Sequence, residues 1–309
     1  MKRARDFALI ALAVNVIVIL LGALVRATGS GAGCGRSWPT CNGTFVPELE
    51  GATAIEFAHR ASSGIALILV AIMVWMTFRA THRGHPARLG AIVSGISIIV
   101  EALIGAVIVL AEWVANDASL ARAISVPIHL VSTFVLLGGL VLTVFWLDGG
   151  PPIRLAADRR TARAWMLIAL GMLIIGATGG VTALADTLFP KDTFEIAGIF
   201  ETESTAHFLT RLRALHPAVA LLVGFVAARW AISKAWSDTG RSGRAGRAVV
   251  VLVGVQFLLG AVNVVLLTPV WLSLLHLALA DAVWVAWVWL GAELLQERSG
   301  RAPTEGSPA

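Results

Sequence analysis

The chain has 309 residues, of which 57% are hydrophobic and 14% charged, with a mean hydropathy of +0.82. Soluble domains carry about 25% charged residues, so this composition excludes an ordinary soluble globule and a disordered chain; two cysteines exclude a disulfide-dense secreted fold. The net charge of +5 is read first as membrane topology, because cytoplasmic loops collect Lys and Arg.

A membrane-spanning helix takes roughly 20 apolar residues. Eight stretches qualify: 7–25, 55–78, 89–111, 122–147, 162–184, 212–231, 248–267 and 270–294. Period-2 alternation is absent, which rules out a barrel and leaves an all-α integral membrane fold of eight transmembrane helices. With the N-terminus inside, 17 of the 24 Lys and Arg fall on cytoplasmic segments and seven on outer ones. That bias predicts both termini cytoplasmic in a multi-pass protein of the cell membrane, and it accounts for the positive charge without nucleic acid. The basic start before span 1 resembles a signal peptide but lacks a cleavage site, so span 1 is expected to stay. The polar tail 297–309 is expected to be disordered. The eleven Trp read as interfacial anchors, with Trp38, Trp113 and Trp271 at the outer face and Trp75, Trp146, Trp165, Trp230 and Trp236 at the inner.

The chain repeats itself at an offset near 155. Leu21-Gly22-Ala23 matches Ile175-Gly176-Ala177, and the run from Val100 to Val107 matches that from Val255 to Val262. Four spans per half give the halves one orientation, so the fold is expected to be two pseudo-symmetric four-helix bundles, 1–150 and 151–296.

Cys34 and Cys41 are the only cysteines and lie in the first outer loop, in an oxidising compartment. A disulfide closing the loop 34–41 is expected; whether it is structural or redox-active stays open.

Seven histidines divide into two kinds. His82 and His85 fall in a basic inner loop, and His207 in an outer loop. His59, His129, His216 and His276 instead stand near the starts of spans 2, 4, 6 and 8, at one depth in the outer leaflet. The repeat pairs His59 with His216 and His129 with His276. Intramembrane polar residues are costly and usually functional, and two imidazoles facing across a bundle suit the axial positions of haem iron. A bare metal site would want more Cys, His or carboxylate ligands than this layer offers. The halves differ beside these residues. Glu56 precedes His59 by one turn, whereas Arg213 precedes His216; Arg60 follows His59, whereas Pro217 follows His216. One half therefore offers an acid–base carboxylate, or an interfacial one paired with Arg60 or Arg26; the other offers a cation suited to a propionate. Glu101 and Asp281 are also intramembrane, and their roles stay open between core acid and proton relay.

The segment Gly22-Ala23-Leu24-Val25-Arg26-Ala27-Thr28-Gly29-Ser30-Gly31, the Cys34…Trp38-Pro39…Cys41 loop, Glu56-Phe57-Ala58-His59-Arg60 and Arg211-Leu212-Arg213-Ala214-Leu215-His216-Pro217 together resemble the haem A synthase family. The resemblance covers nearly the whole chain. It implies a bis-His haem b in the C-terminal half at His216 and His276, with Arg213 nearby. It implies a haem O substrate site in the N-terminal half at His59 and His129, with Arg26 and Arg60, and Glu56 as the catalytic residue. The implied reaction oxidises a ring methyl of haem O to the formyl of haem A. The loop lacks the acid expected just before Trp38, so no loop acid is assigned. The electron-transfer partner, docking of a haem O synthase, homo-oligomerisation and the source of oxygen stay open. Two rivals compete: a dihaem b-type electron-transfer protein, which leaves Glu56 against Arg213 unexplained, and a haem transporter, which tight bis-His ligation would hinder.

Overall fold

The computed structural model describes residues 1–191 and 207–296; the tail expected to be disordered lies outside the described residues. The described residues form α1 (Lys2–Ala27), α2 (Gly51–Ala80), α3 (Ala87–Leu110), α4 (Leu120–Leu147), α5 (Arg159–Leu188), the short α6 (Phe208–Arg211), α7 (Leu215–Ala235), α8 (Arg241–Val265) and α9 (Val270–Leu295). A 3₁₀ turn, Leu212–Ala214, joins α6 to α7, so both belong to the sixth span. Among the described residues, eight helical segments are long and apolar enough to cross a membrane, and the protein is a multi-pass membrane protein. Most helices outrun the apolar stretches that announce them. The apolar run marks only the hydrocarbon thickness, and the backbone ladder continues into the headgroup region.

Local chemistry sets several boundaries. Ser119 caps α4 by accepting a hydrogen bond from the Arg122 amide, and Asp158 caps α5 by accepting one from the Thr161 amide at 2.9 Å. That amide holds the Asp158 carboxyl below its usual range. α1 stops at Thr28, before Gly29 at φ +67.

In the first group α1 packs on α2 and α4, α2 on α3, and α3 on α4; in the second, α5 packs on α7 and α9, α7 on α8, and α8 on α9. α3 and α4 approach through small residues. A Cβ on Gly90 would stand 2.6 Å from Thr143 Oγ1, and one on Gly139 would stand 2.8 Å from Ser94 Oγ. The groups meet along α4, α5, α9 and α1, where Phe134, Leu137, Met172, Ile19, Trp284 and Trp287 are buried. Trp284 Nε1 donates to the Phe134 carbonyl at 2.7 Å, tying α9 to α4. At the expected inner end, Asp148 accepts from Arg5 at 2.8 Å and from Arg241 at 3.4 Å, and Arg241 also reaches Glu293 at 2.7 Å.

Two sequence expectations change here. Trp75, Trp236, Trp38 and Trp271 are exposed as anchors should be. Trp146 is buried, Trp165 donates to the Trp287 carbonyl at 3.1 Å, and Trp230 packs at a tilt against Trp287 with ring centroids 5.1 Å apart. Those three serve helix packing: each finds apolar contact inside, and Trp165 also finds an acceptor there, whereas the buried Trp146 Nε1 has no hydrogen-bond partner. The second change is the register of the repeat between spans 1 and 5, which the histidine contacts below place at 157 rather than 154.

Candidate functional site

Each of the four histidines stands on a helix that places its ring, half-buried, against a neighbouring helix. His59 on α2 lies over Gly22 of α1, where a Cβ would come within 2.9 Å of the imidazole. His216 on α7 lies over Gly179 of α5, with the corresponding distance 3.0 Å. His276 on α9 lies over Gly260 of α8, also at 3.0 Å. Glycine is needed at these three positions because the rings occupy the space of a side chain. Gly22 and Gly179 share the 157 offset of His59 and His216. So do Val18 and Ile175, whose carbonyls approach the His59 and His216 rings.

The hydrogen bonds fix what the rings can do. His216 Nδ1 donates to the Ile175 carbonyl at 3.2 Å, with Thr178 Oγ1 at 3.4 Å. A carbonyl only accepts, so Nδ1 carries the proton and Nε2 keeps its lone pair. The His216 and His276 rings face each other with centroids 6.4 Å apart and planes at 87°. Gln256 Nε2 lies 3.3 Å from His276 Nε2 and donates to the His276 carbonyl at 3.2 Å, while His276 Nδ1 has no partner. In the first group, His129 Nδ1 lies 2.9 Å from Glu101 Oε2.

Glu56 is 3% exposed and both its oxygens are engaged. Oε2 accepts from the Cys34 amide at 2.8 Å. Oε1 accepts from Arg60 Nε at 3.1 Å and Nη2 at 2.5 Å. Arg60 Nη1 donates to the carbonyls of Ser37 at 2.5 Å and Thr40 at 2.7 Å. Glu56 and Arg60 thus clamp both sides of the loop that the Cys34–Cys41 disulfide closes, with Cα atoms 4.4 Å apart. The carboxylate–guanidinium pairing weighed from the sequence is formed with Arg60. Arg26 turns to the other group instead, donating to the Ala183 carbonyl at 2.5 Å and Thr187 Oγ1 at 2.7 Å.

Arg213 is buried and bonds Asp186 at 2.9 Å, the Ala185 carbonyl at 2.7 Å and the Phe189 carbonyl. Asp186 stands one residue before Thr187, whose hydroxyl Arg26 reaches, so the two arginines converge on this end of α5. Sequence reasoning missed it because the apolar stretch of span 5 ended at 184, leaving it in the loop. Asp281 is 1% exposed, and neither carboxyl oxygen has a hydrogen-bond partner. The remaining histidines are local. His207 caps α6 through the Leu209 amide and stacks on Phe189 and Phe208; His85 accepts from the Ala87 amide at the start of α3.

The sequence that builds this site has matches among known proteins. The model of the family described as cytochrome oxidase assembly protein matches residues 5–54 and 48–288. The chain belongs to that family. Among its relatives, a Thermus thermophilus protein named Protoheme IX farnesyltransferase is 42% identical over 289 residues, 93% of this chain and 48% of that protein. A Heme A synthase of Bacillus pumilus is 40% identical over 122 residues, 38% of each chain. A Heme A synthase of Bacillus cereus is 38% identical over 130 residues, 42% of this chain and 41% of that one. The chain spans about half the length, or less, of these curated relatives.

Proposed function

We propose that the protein is a haem A synthase, which oxidises a ring methyl of haem O to a formyl group through successive hydroxylations and loss of water. The observation that carries this reading is the pairing of histidines within a family whose relatives include proteins named for haem A synthesis. Two imidazoles on opposite sides of one metal ion, each about 2.0 Å from it, hold their centroids roughly 6 Å apart. The 6.4 Å between His216 and His276 fits that requirement, as does the protonated Nδ1 of His216. A haem b held by His216 and His276 would supply one-electron relay. Gln256 Nε2 lies on His276 Nε2, the atom that would hold the haem, so the Gln256 amide is the group that would have to turn away.

The N-terminal half is proposed to bind haem O between His59 and His129. Arg60 holds the disulfide loop in place from within the same helix turn as His59. Glu56 is the acid–base residue of the proposal. Both its oxygens are held at rest, so proton exchange requires either the Cys34 amide or Arg60 to release one. Arg26, Asp186 and Arg213 form the polar seam between the halves, and propionates are the anionic groups suited to its two arginines. Farnesyl transfer, named for the Thermus thermophilus relative, is not carried over, since the match covers only 48% of that protein. We propose instead that a protohaem farnesyltransferase activity supplies the substrate.

Glu56→Gln tests the assignment. It is expected to leave the low-spin haem b signal intact and to lower haem A formation by at least about a hundredfold. Loss of the haem b signal in this variant would make Glu56 a structural residue.

A further inference from the structure

The two halves back their fourth-helix histidines differently. His129 Nδ1 has a carboxylate oxygen, Glu101 Oε2, at 2.9 Å. That approach is an ion-pair contact and not an aligned hydrogen bond; among the described residues His276 Nδ1 has neither a hydrogen bond nor an ion-pair contact. The residue that the repeat aligns with Glu101 is Gln256, a neutral amide that sits on the other ring nitrogen of His276. Glu101 is 8% exposed, its second oxygen has no hydrogen-bond partner, and its ion-pair contact among the described residues is with the His129 imidazole. A buried acid placed this way is costly unless it does something for the group it faces.

We propose that Glu101 is a positioning residue that makes His129 a more electron-donating iron ligand than His276. The proposal rests on the haem-binding reading above. A carboxylate beside Nδ1 favours the tautomer with the proton on that nitrogen, leaves Nε2 for iron and raises the basicity of the ring through its charge. A more basic axial ligand stabilises ferric over ferrous iron and makes the bound ring system easier to oxidise. The carboxylate therefore stands in the half where the substrate loses electrons, and the amide in the half that relays them. Glu101 acts through ligand basicity and needs no change in its own protonation. The charge difference between Glu101 and Gln256 is a single-atom change in composition at matched positions, which is the least perturbing way to give two similar sites different potentials.

The test uses the full-length protein in detergent, loaded anaerobically with haem O, and follows both haems optically against applied potential. In the wild-type protein the N-terminal haem is expected to have the lower midpoint; the reverse order overturns the proposal without any variant. Glu101→Gln is expected to lower the ferric-to-ferrous ratio of the N-terminal haem about tenfold at fixed potential, a 59 mV rise for a one-electron couple. The C-terminal haem should not move. An unchanged N-terminal midpoint, with haem still bound, overturns the proposal. His129→Ala separates this from failure of the underlying reading: if neither haem signal changes in that variant, His129 is not a ligand and the haem assignment itself is wrong.

Discussion

Three glycines decide whether the histidine rings can stand where they do. Gly22, Gly179 and Gly260 each leave the space that an imidazole fills, at 2.9 to 3.0 Å from where a Cβ would be. Gly105, which the repeat aligns with Gly260, has nothing within 4 Å of its Cβ position. Gly179→Val and Gly260→Val are therefore expected to displace a ring and abolish the low-spin haem signal, with an overpacking cost of about 1–3 kcal/mol. Gly105→Ala should leave both spectrum and stability unchanged, and absorption spectra of the three purified variants decide the matter. The histidines themselves were legible in the sequence, because four of one rare intramembrane type recur at matched depths. The partner of His216 Nδ1 was not, since the backbone carbonyl of Ile175 carries no residue-type signal. Glu101 was visible as an intramembrane acid, but only packing of α3 on α4 shows that it faces His129.

At the scale of elements, the disulfide loop is held from two sides: by the Cys34–Cys41 bond and by the Glu56–Arg60 pair on α2. The bond closes a short loop, so its removal should cost about 2–3 kcal/mol of local stability. The double variant Cys34→Ser, Cys41→Ser is expected to lose haem A formation while keeping the haem b signal, because the Cys34 amide no longer meets Glu56 in a fixed position. Retained activity would show that the α2 clamp alone orders the loop. Helix existence was readable from apolar runs, and helix ends were not. α1 reaches back to Lys2 and α2 to Gly51, positions where the sequence has already turned polar or small. The span 1 to span 5 register was misread for a related reason. Glycine recurs within α5, at Gly176, Gly179 and Gly180, and sequence alone gives no contact to choose between them.

For the whole molecule, the two groups of helices are joined at both ends and through the middle. Asp148 links Arg5 of α1 and Arg241 of α8, and Arg26 of α1 reaches the carbonyl of Ala183 on α5. The Asp148 pairs are partly exposed, so Asp148→Asn should cost no more than about 1 kcal/mol. A small fall in the melting temperature with an unaltered haem spectrum is the expected result; loss of haem would mean that the inner seam governs the sites. The expected orientation, with both termini cytoplasmic, requires a reporter fused after residue 296 to act on the cytoplasmic side and one inserted in the 34–41 loop to act outside.

The central claim is haem A formation. Its most direct test expresses the chain in a host that makes haem O but not haem A, extracts the haems from the membranes and identifies them by chromatography and mass. A haem with the mass of haem A, absent without the chain and lost with Glu56→Gln, is the predicted result. Purified, folded protein holding two tight haem b groups per chain, from membranes that contain only haem B and haem O, would contradict it and identify an electron carrier instead.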